Sequence, residues 1–430
     1  MHTLQYFETL CTKYTTWNDL KTFLTSAEGG SLRVVESELP YAVIRYVKGE
    51  SLLSNPDLNV ALFRSVIWNT VTNRPVCVAP VKAVNGNPPL NMEFAQIQDF
   101  VDGVMVQAFV DAAGPTVLQL STRTQIGANN TFYSEKTFGA MFGECLASTP
   151  VRTTGALLMQ MREMASSSNA SVFASFVIQH PEHRIVAKVA SPDLNIVHMG
   201  LVSDSGAVSV LESSSEWPSP LRRLQIPTYP VKSFKDEEEI KSLMRRTAVQ
   251  TGYRWQGLVF KDGEGLRWRI RSTGYLNLRG LRGGEAKSVD RFLRLRKQGN
   301  VVEYLKHYAE DRTEFWNYES ELRSKTTEVL KAYITVHKAH KMKFAELPVE
   351  FKPCVHLLHA DYISNLRPNK MTVQLSHAIA VVNGLKEFEQ KRLLLAEHLK
   401  VVESVPVEET QAQLQSQSQL QDQTANTVEG

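Results

Sequence analysis

Three arginines at alternate positions, Arg267, Arg269 and Arg271, follow a Lys-Asp-Gly-Glu-Gly turn at 261–265. A row of guanidiniums has one chemistry to offer: planar forks of donors that grip phosphate or carboxylate oxygens. In the stretch QGLVFKDGEGLRWRIRSTGY, residues 256–275, apolar and basic residues alternate after the turn. Period two predicts a hairpin of 257–260 against 266–270. Leu266, Trp268 and Ile270 would share one face and the three arginines the other. A solvated basic strand is the ordinary use of such a pattern. A phosphate clamp is the use that does chemistry.

The charge continues past the hairpin. Ten basic residues lie between Arg267 and Lys297, among them Arg279, Arg282, Arg291 and Arg294, and only Glu285 and Asp290 oppose them. The local net charge is +8, in a chain of 430 residues whose total is +3. The total argues for no nucleic-acid partner. The distribution does, as a basic stripe that would carry RNA through Arg267, Arg279, Arg282, Arg291 and Arg294.

The elements that must position these groups fall into an α+β plan. Residues 1–29 have helical spacing. From 30 to 284 short β-rich runs such as YAVIRYVKG, VMVQAFVD, HRIVAKVA and NIVHMGLVS alternate with Gly- and Pro-containing turns, which predicts antiparallel sheets. Helical spacing interrupts at 132–147, 150–168 and 235–250. Residues 285–403 read as an all-α domain, with Ser288 and Asn300 as helix caps and Phe315, Tyr318, Leu322, Val329, Tyr333 and Val336 on one face of a long helix. Residues 404–430, with Gln at every second position from 411 to 423, form a tail expected to be disordered.

Five segments in order, FRSVIWNTVTNRPVCVAPVKAVNG (63–86), IQDFVDGVMVQAF (97–109), SVFASFVIQHPEHRIV (171–186), QGLVFKDG (256–263) and RWRIRSTGY (267–275), carry a resemblance. Together they resemble the motif series of covalent nucleotidyltransferases, specifically RNA ligases of the phage T4 ligase 1 type, across residues 60–280. The resemblance implies an antiparallel-sheet nucleotidyltransferase domain followed by a helical C-terminal domain. It implies a K-x-D-G lysine that attacks the α-phosphate of ATP, carboxylates that hold the nucleoside and Mg²⁺, and paired lysines that neutralise phosphates.

Position by position, the motif residues divide. Asp102 and Gly103 match the D-G, but Phe100 stands where the lysine should. Ser175 replaces the glutamate of the F-E-F strand, and Gln256 replaces the glutamate of E-G-x-V. Arg269 and Arg271 replace the two motif lysines, while Arg64, Lys82 and Tyr275 keep their places. Phe cannot attack phosphorus, and Ser and Gln are poor Mg²⁺ ligands. Positions that need only positive charge have kept it. The expectation is a degenerate RNA-ligase-like protein that receives RNA or nucleotide phosphates without the ligase chemistry. An active ligase with a relocated lysine and a structural or virion protein on a ligase fold stay open. ATP and Mg²⁺ would be the cofactors of an active enzyme. Lys82 is the first alternative nucleophile, since Lys261-Asp262-Gly263 has one residue too few and sits in a turn.

The remaining signals are weaker. His337, His340, Cys354, His356 and His359 lack a four-ligand zinc spacing, so no metal is expected. Four scattered cysteines and the lack of an apolar run of membrane length predict a soluble intracellular protein without disulfides, in cytoplasm or nucleus, or in a virion if the source is viral.

Overall fold

The computed structural model describes residues 2–53, 59–114, 117–211 and 216–399. The Gln-rich tail lies outside the described residues. The chain divides into two compact units, Met1–Gly283 and Gly284–Gly430. The antiparallel sheets of the first and the helices of the second make this an α+β protein.

The first unit opens with β1 (His2–Leu4), α1 (Gln5–Lys13) and α2 (Trp17–Thr25). It continues through β2 (Arg33–Glu36), β3 (Tyr41–Arg45), β4 (Val66–Asn69), β5 (Arg74–Val78), β6 (Val84–Asn85) and β7 (Gln96–Asp99). Next come β8 (Val104–Val110), β9 (Gln119–Ser121), α3 (Phe138–Ala147), α4 (Thr154–Ser168), β10 (Ser171–Gln179), β11 (Asp193–Val202) and β12 (Val208–Leu211). It closes with α5 (Ser219–Arg222), α6 (Glu237–Thr251), β13 (Gly257–Lys261), β14 (Arg267–Arg271) and α7 (Thr273–Arg282).

Among the described residues the strands form three sheets: β1-β12-β11-β10-β8-β9, β2-β3-β4-β5 and β6-β14-β13-β7. Every pairing is antiparallel except β6 on β14. The six-stranded sheet buries both faces, because its strands carry apolar residues at successive positions. Val106, Ala108, Val172 and Phe176 pack under α3 and α4. Phe109 and Phe173, on the other face, pack with β2–β5, α1 and α2, so the N-terminal helices share this unit's core. The third sheet buries Leu258, Phe260, Trp268 and Ile270 against Phe94, Phe234 and α6.

The 257–271 hairpin forms in the expected register, with Phe260 opposite Trp268 and Val259 opposite Arg269. Leu266 departs from expectation: it sits in the turn, 49% exposed, so only Trp268 and Ile270 reach the core. Gly257 has φ of +141°, and a Cβ there would lie 1.9 Å from the Ile270 carbonyl oxygen. The strands can approach this closely only because a glycine stands at that position. The HRIVAKVA segment, expected as a strand, forms no strand; its backbone amides at Val186 and Ala187 are taken by Asp102 instead.

The second unit is helical: α8 (Ser288–Lys297), α9 (Val301–His307), α10 (Arg312–Tyr333), α11 (Lys352–Asp361), α12 (Leu375–Gly384) and α13 (Glu387–Leu394). Phe315, Leu322, Val329 and Tyr333 of α10 are buried on one face, as their spacing predicts. The expected caps differ. Ser288 begins the helix but its hydroxyl bonds Glu314 and Tyr318, and Asn300 caps with no side-chain bond. No helix among the described residues is long and apolar enough to cross a membrane.

Candidate phosphate-binding site

The site is built where β14 passes the segment between β7 and β8. Residues 100–103 lie beside the hairpin because the Phe100 amide donates to the Gly257 carbonyl, 2.9 Å. The Phe100 ring then lies under two guanidiniums. The Cζ atoms of Arg269 and Arg271 stand 5.6 and 5.1 Å from its centroid. Phe100 thus serves as an apolar floor for Arg269 and Arg271. Such contacts contribute about 0.5–1 kcal/mol each at half-exposed sites.

Two further bonds aim the arginines. Arg269 Nε donates to Asn85 Oδ1, 2.7 Å. With the Gln256 amide oriented to satisfy both its ends, its nitrogen donates to the Val101 carbonyl (3.2 Å) and its oxygen accepts from Arg271 Nε (3.1 Å). Gln256 therefore orients a cation with a neutral acceptor. A glutamate in its place would neutralise that cation.

Asp102 is consumed structurally. Its carboxylate accepts from the Tyr275 hydroxyl (2.7 Å) and from the amides of Val186 (3.0 Å) and Ala187 (3.2 Å). Ser272 caps α7 through the Tyr275 amide, which sets that ring on Asp102. Burial, then the Asp102 charge and hydrogen bond, push the Tyr275 phenol well up, so it stays a neutral donor. Gly103 passes β10 so closely that a Cβ would meet the Ile178 carbonyl oxygen at 2.3 Å.

Arg64 adjoins this pair from the turn before β4. Burial pulls its pKa down to about 10; the nearby Tyr46 phenol opposes this, and the Arg269 and Arg123 guanidiniums add to it. Burial and then Arg271 act the same way on Arg269. Burial, followed by Arg123 and Arg33, lowers Arg45, with Glu50 opposing. All remain protonated at neutral pH. Arg123 donates to the carbonyls of Arg64 (3.3 Å) and Tyr46 (3.1 Å), and its Cζ lies 4.6 Å from the Tyr46 ring centroid. Among the described residues no carboxylate forms an ion pair with Arg45, Arg64, Lys82, Arg123, Arg269 or Arg271. Like charges gathered without a counter-charge cost stability, and a bound anion would reverse that cost.

Other expected positions lie elsewhere. Ser175 is fully buried at mid-strand, opposite Gln107 and His198, its hydroxyl without a partner, and it does not meet Gln256. Lys82 is half-buried and tied to this region by its backbone amide, which donates to the Ala61 carbonyl, 3.0 Å. Lys261 ends β13 and Asp262 opens the turn: Lys261 Nζ donates to the Val197 carbonyl (3.1 Å), and Asp262 caps the amides of Glu264 and Leu266.

The expected basic stripe is not one solvent-facing surface. Arg267 is buried, with Nη1 on the Val81 carbonyl, 3.4 Å. Arg282 is buried with its Cζ 4.5 Å from the Tyr133 ring centroid, and half-buried Arg279 donates to the Gly283 carbonyl. In the second unit Arg291 is buried on Asp311 (2.9 Å), and Arg294 pairs with Glu285 (2.8 Å). Burial, carbonyls, a ring and two carboxylates occupy these arginines, and a count of basic residues does not register which of them reach solvent. Conversely, Arg45, Tyr46 and Arg123 join the site although they belong to none of the motif positions. The one signal for Arg45 and Tyr46 was the Ile-Arg-Tyr at the end of a β-rich run.

No metal-ligating group of three or more His, Cys, Asp or Glu side chains occurs among the described residues. His337 and His359 stack at 3.8 Å with nearly parallel rings, a geometry for packing rather than for sharing an ion.

No protein-family model matches the chain, and no curated protein matches it. Two solved structures of an archaeal ATP-dependent RNA ligase are similar to it, each at 11% sequence identity. Form 1 aligns over 73% of this chain and 74% of that chain with a TM-score of 0.33. Form 2 aligns over 72% and 77% with a TM-score of 0.32.

Proposed function

We propose that the chain is a catalytically degenerate RNA-ligase-like protein that binds RNA or nucleotide phosphates through Arg64, Arg269 and Arg271, with Lys82 and Arg123 beside them. The observation that carries the reading is the pair of guanidiniums held over Phe100 and joined by Arg64, with no carboxylate among the described residues paired to any of them. In this reading Phe100 ends nucleophilic catalysis at its position, and Gln256 and Ser175 supply no anionic metal ligand. The cations that remain serve binding alone.

The test has two arms. Incubation with α-labelled ATP or GTP and Mg²⁺ or Mn²⁺, followed by denaturation, should leave no acid-labile label on the chain while an authentic RNA ligase labels alongside. A labelled band would overturn the pseudoenzyme reading and direct mapping to Lys82. Binding of RNA and of nucleoside triphosphate, followed with increasing salt, should weaken as salt rises and weaken again in the Arg269→Ala/Arg271→Ala variant. Absence of binding would favour a purely structural role.

A further inference from the structure

We propose that the phosphate clamp is one end of a longer arginine track, running Arg271, Arg269, Arg64, Arg123, Arg45, Arg33, that holds a single-stranded nucleic acid along its backbone. This rests on the clamp reading above and extends it to residues outside every motif position.

The track is linked by hydrogen bonds, strand pairings and spans of chain no longer than three residues. Asn85 of β6 pairs with Arg269 and accepts from its Nε. The chain leading into β6 is tied at Lys82 to the Ala61 carbonyl, three residues before Arg64. Arg123 bonds the backbone of Arg64 and of Tyr46, and Arg45 precedes Tyr46. Arg45 and Arg33 are then direct register partners on β3 and β2.

That last pair is informative. Like charges directly opposite on adjacent strands destabilise the ladder. Here they stand on the same face of an edge strand and its neighbour. Among the described residues Arg33 has no ion pair, and Glu50 is the one carboxylate felt by Arg45. Folding gains nothing from the arrangement, whereas a polyanion does. Two rings, half-buried Phe100 and buried Tyr46, back guanidiniums of the track: Arg269 and Arg271 on the first, Arg123 on the second. Planar guanidiniums held flat on rings suit a single strand, whose phosphates meet charge and whose unpaired bases can stack on guanidinium planes. A duplex keeps its bases stacked inside and cannot use those planes. A compact anion would need the clamp alone, so ligand length is the discriminating variable.

The experiment uses the full chain and fluorescently labelled oligouridylates of about three and about twelve nucleotides, lengths either side of the usual minimum for one site. Affinity is read against salt for wild type, Arg33→Gln/Arg45→Gln and Arg269→Ala/Arg271→Ala. The longer oligomer should bind wild type at least roughly tenfold more tightly, with a steeper salt slope. Arg33→Gln/Arg45→Gln should remove most of that gain, lower the long oligomer's slope by about 1.4, and weaken the short oligomer far less than the long one. Arg269→Ala/Arg271→Ala should weaken both. If Arg33→Gln/Arg45→Gln leaves the long oligomer's affinity and slope intact while the clamp variant weakens it, the track is wrong and the clamp stands. If the clamp variant changes nothing, or neither oligomer binds, the clamp reading falls and the track with it. Equal binding of a duplex of the same length would overturn the single-strand assignment. Thermal melts of both variants at the wild-type temperature make the binding losses attributable to the site.

Discussion

Two groups of arginines are used in opposite ways. In the helical unit Arg291, Arg294 and Arg296 each meet a carboxylate: Asp311, Glu285 and Glu319, at 2.8–2.9 Å. In the first unit Arg64, Arg269 and Arg271 meet aromatic rings, amide oxygens and one another. The first group ties α8 to α10 and to the segments beside both helices. The second is held in place by neutral groups, which orient a cation without cancelling it. Arginine alone does not mark a binding site; in the reading proposed above, what singles out the second group is that its members lie together, only half-buried, with uncharged partners.

The contrast predicts which substitutions unfold the protein and which empty the site. Arg291→Ala should cost about 3–5 kcal/mol of the helical unit's stability, because it leaves Asp311 part-buried without its counter-charge. Urea unfolding followed by circular dichroism would measure it, and anion binding should be unaffected at temperatures where the variant is folded.

A second large effect belongs to pH. Burial, reinforced by Arg282 and His180, lowers His183 from 6.5 to about 4. A depressed base binds its proton more readily when unfolded. Its contribution is therefore complete above about pH 6.5 and is lost as pH falls toward 4, amounting to roughly 3 kcal/mol at the acid end. His183→Asn should flatten that part of the stability–pH curve. An unchanged curve would mean that other groups govern acid unfolding.

Arg269→Ala/Arg271→Ala should lose roughly 2–3 kcal/mol of phosphate binding, while the melting temperature stays level or rises as mutual repulsion is relieved. A melt that drops by many degrees would break the contrast, since it would make these arginines structural like those of the helical unit. Gln256→Glu is the subtler probe. It gives Arg271 a charged partner and so moves it toward the helical unit's pattern; binding should weaken by about 1 kcal/mol with the fold intact. Smallest of all, Phe100→Ala should cost about 0.5–1 kcal/mol of binding by loosening both guanidiniums.

Local pattern was sufficient for some of this. Alternation after an Asp-Gly turn specified the hairpin and the face that Trp268 and Ile270 bury, because side-chain direction in a strand follows from parity. Spacing of three and four specified the buried face of α10. The residue types at positions 100, 256, 269 and 271 specified what each could do chemically: no amine to attack, no carboxylate to hold a metal, two permanent cations.

Tertiary structure decided the use of each charge. Arg267 has the same parity as Arg269 and Arg271, yet it is buried on the Val81 carbonyl, since its end of the strand is covered. Asp102 is recruited by Tyr275, 173 residues away, and Arg123 by the carbonyls of Tyr46 and Arg64. Asp311 reaches Arg291 from the segment leading into α10. The sequence by itself determined the elements, their faces and the chemical capacity of each side chain, because these depend on a residue and its near neighbours. Only the folded chain decided which cations are cancelled and which are left uncancelled. That outcome depends on distances of a few ångströms between residues far apart in the chain.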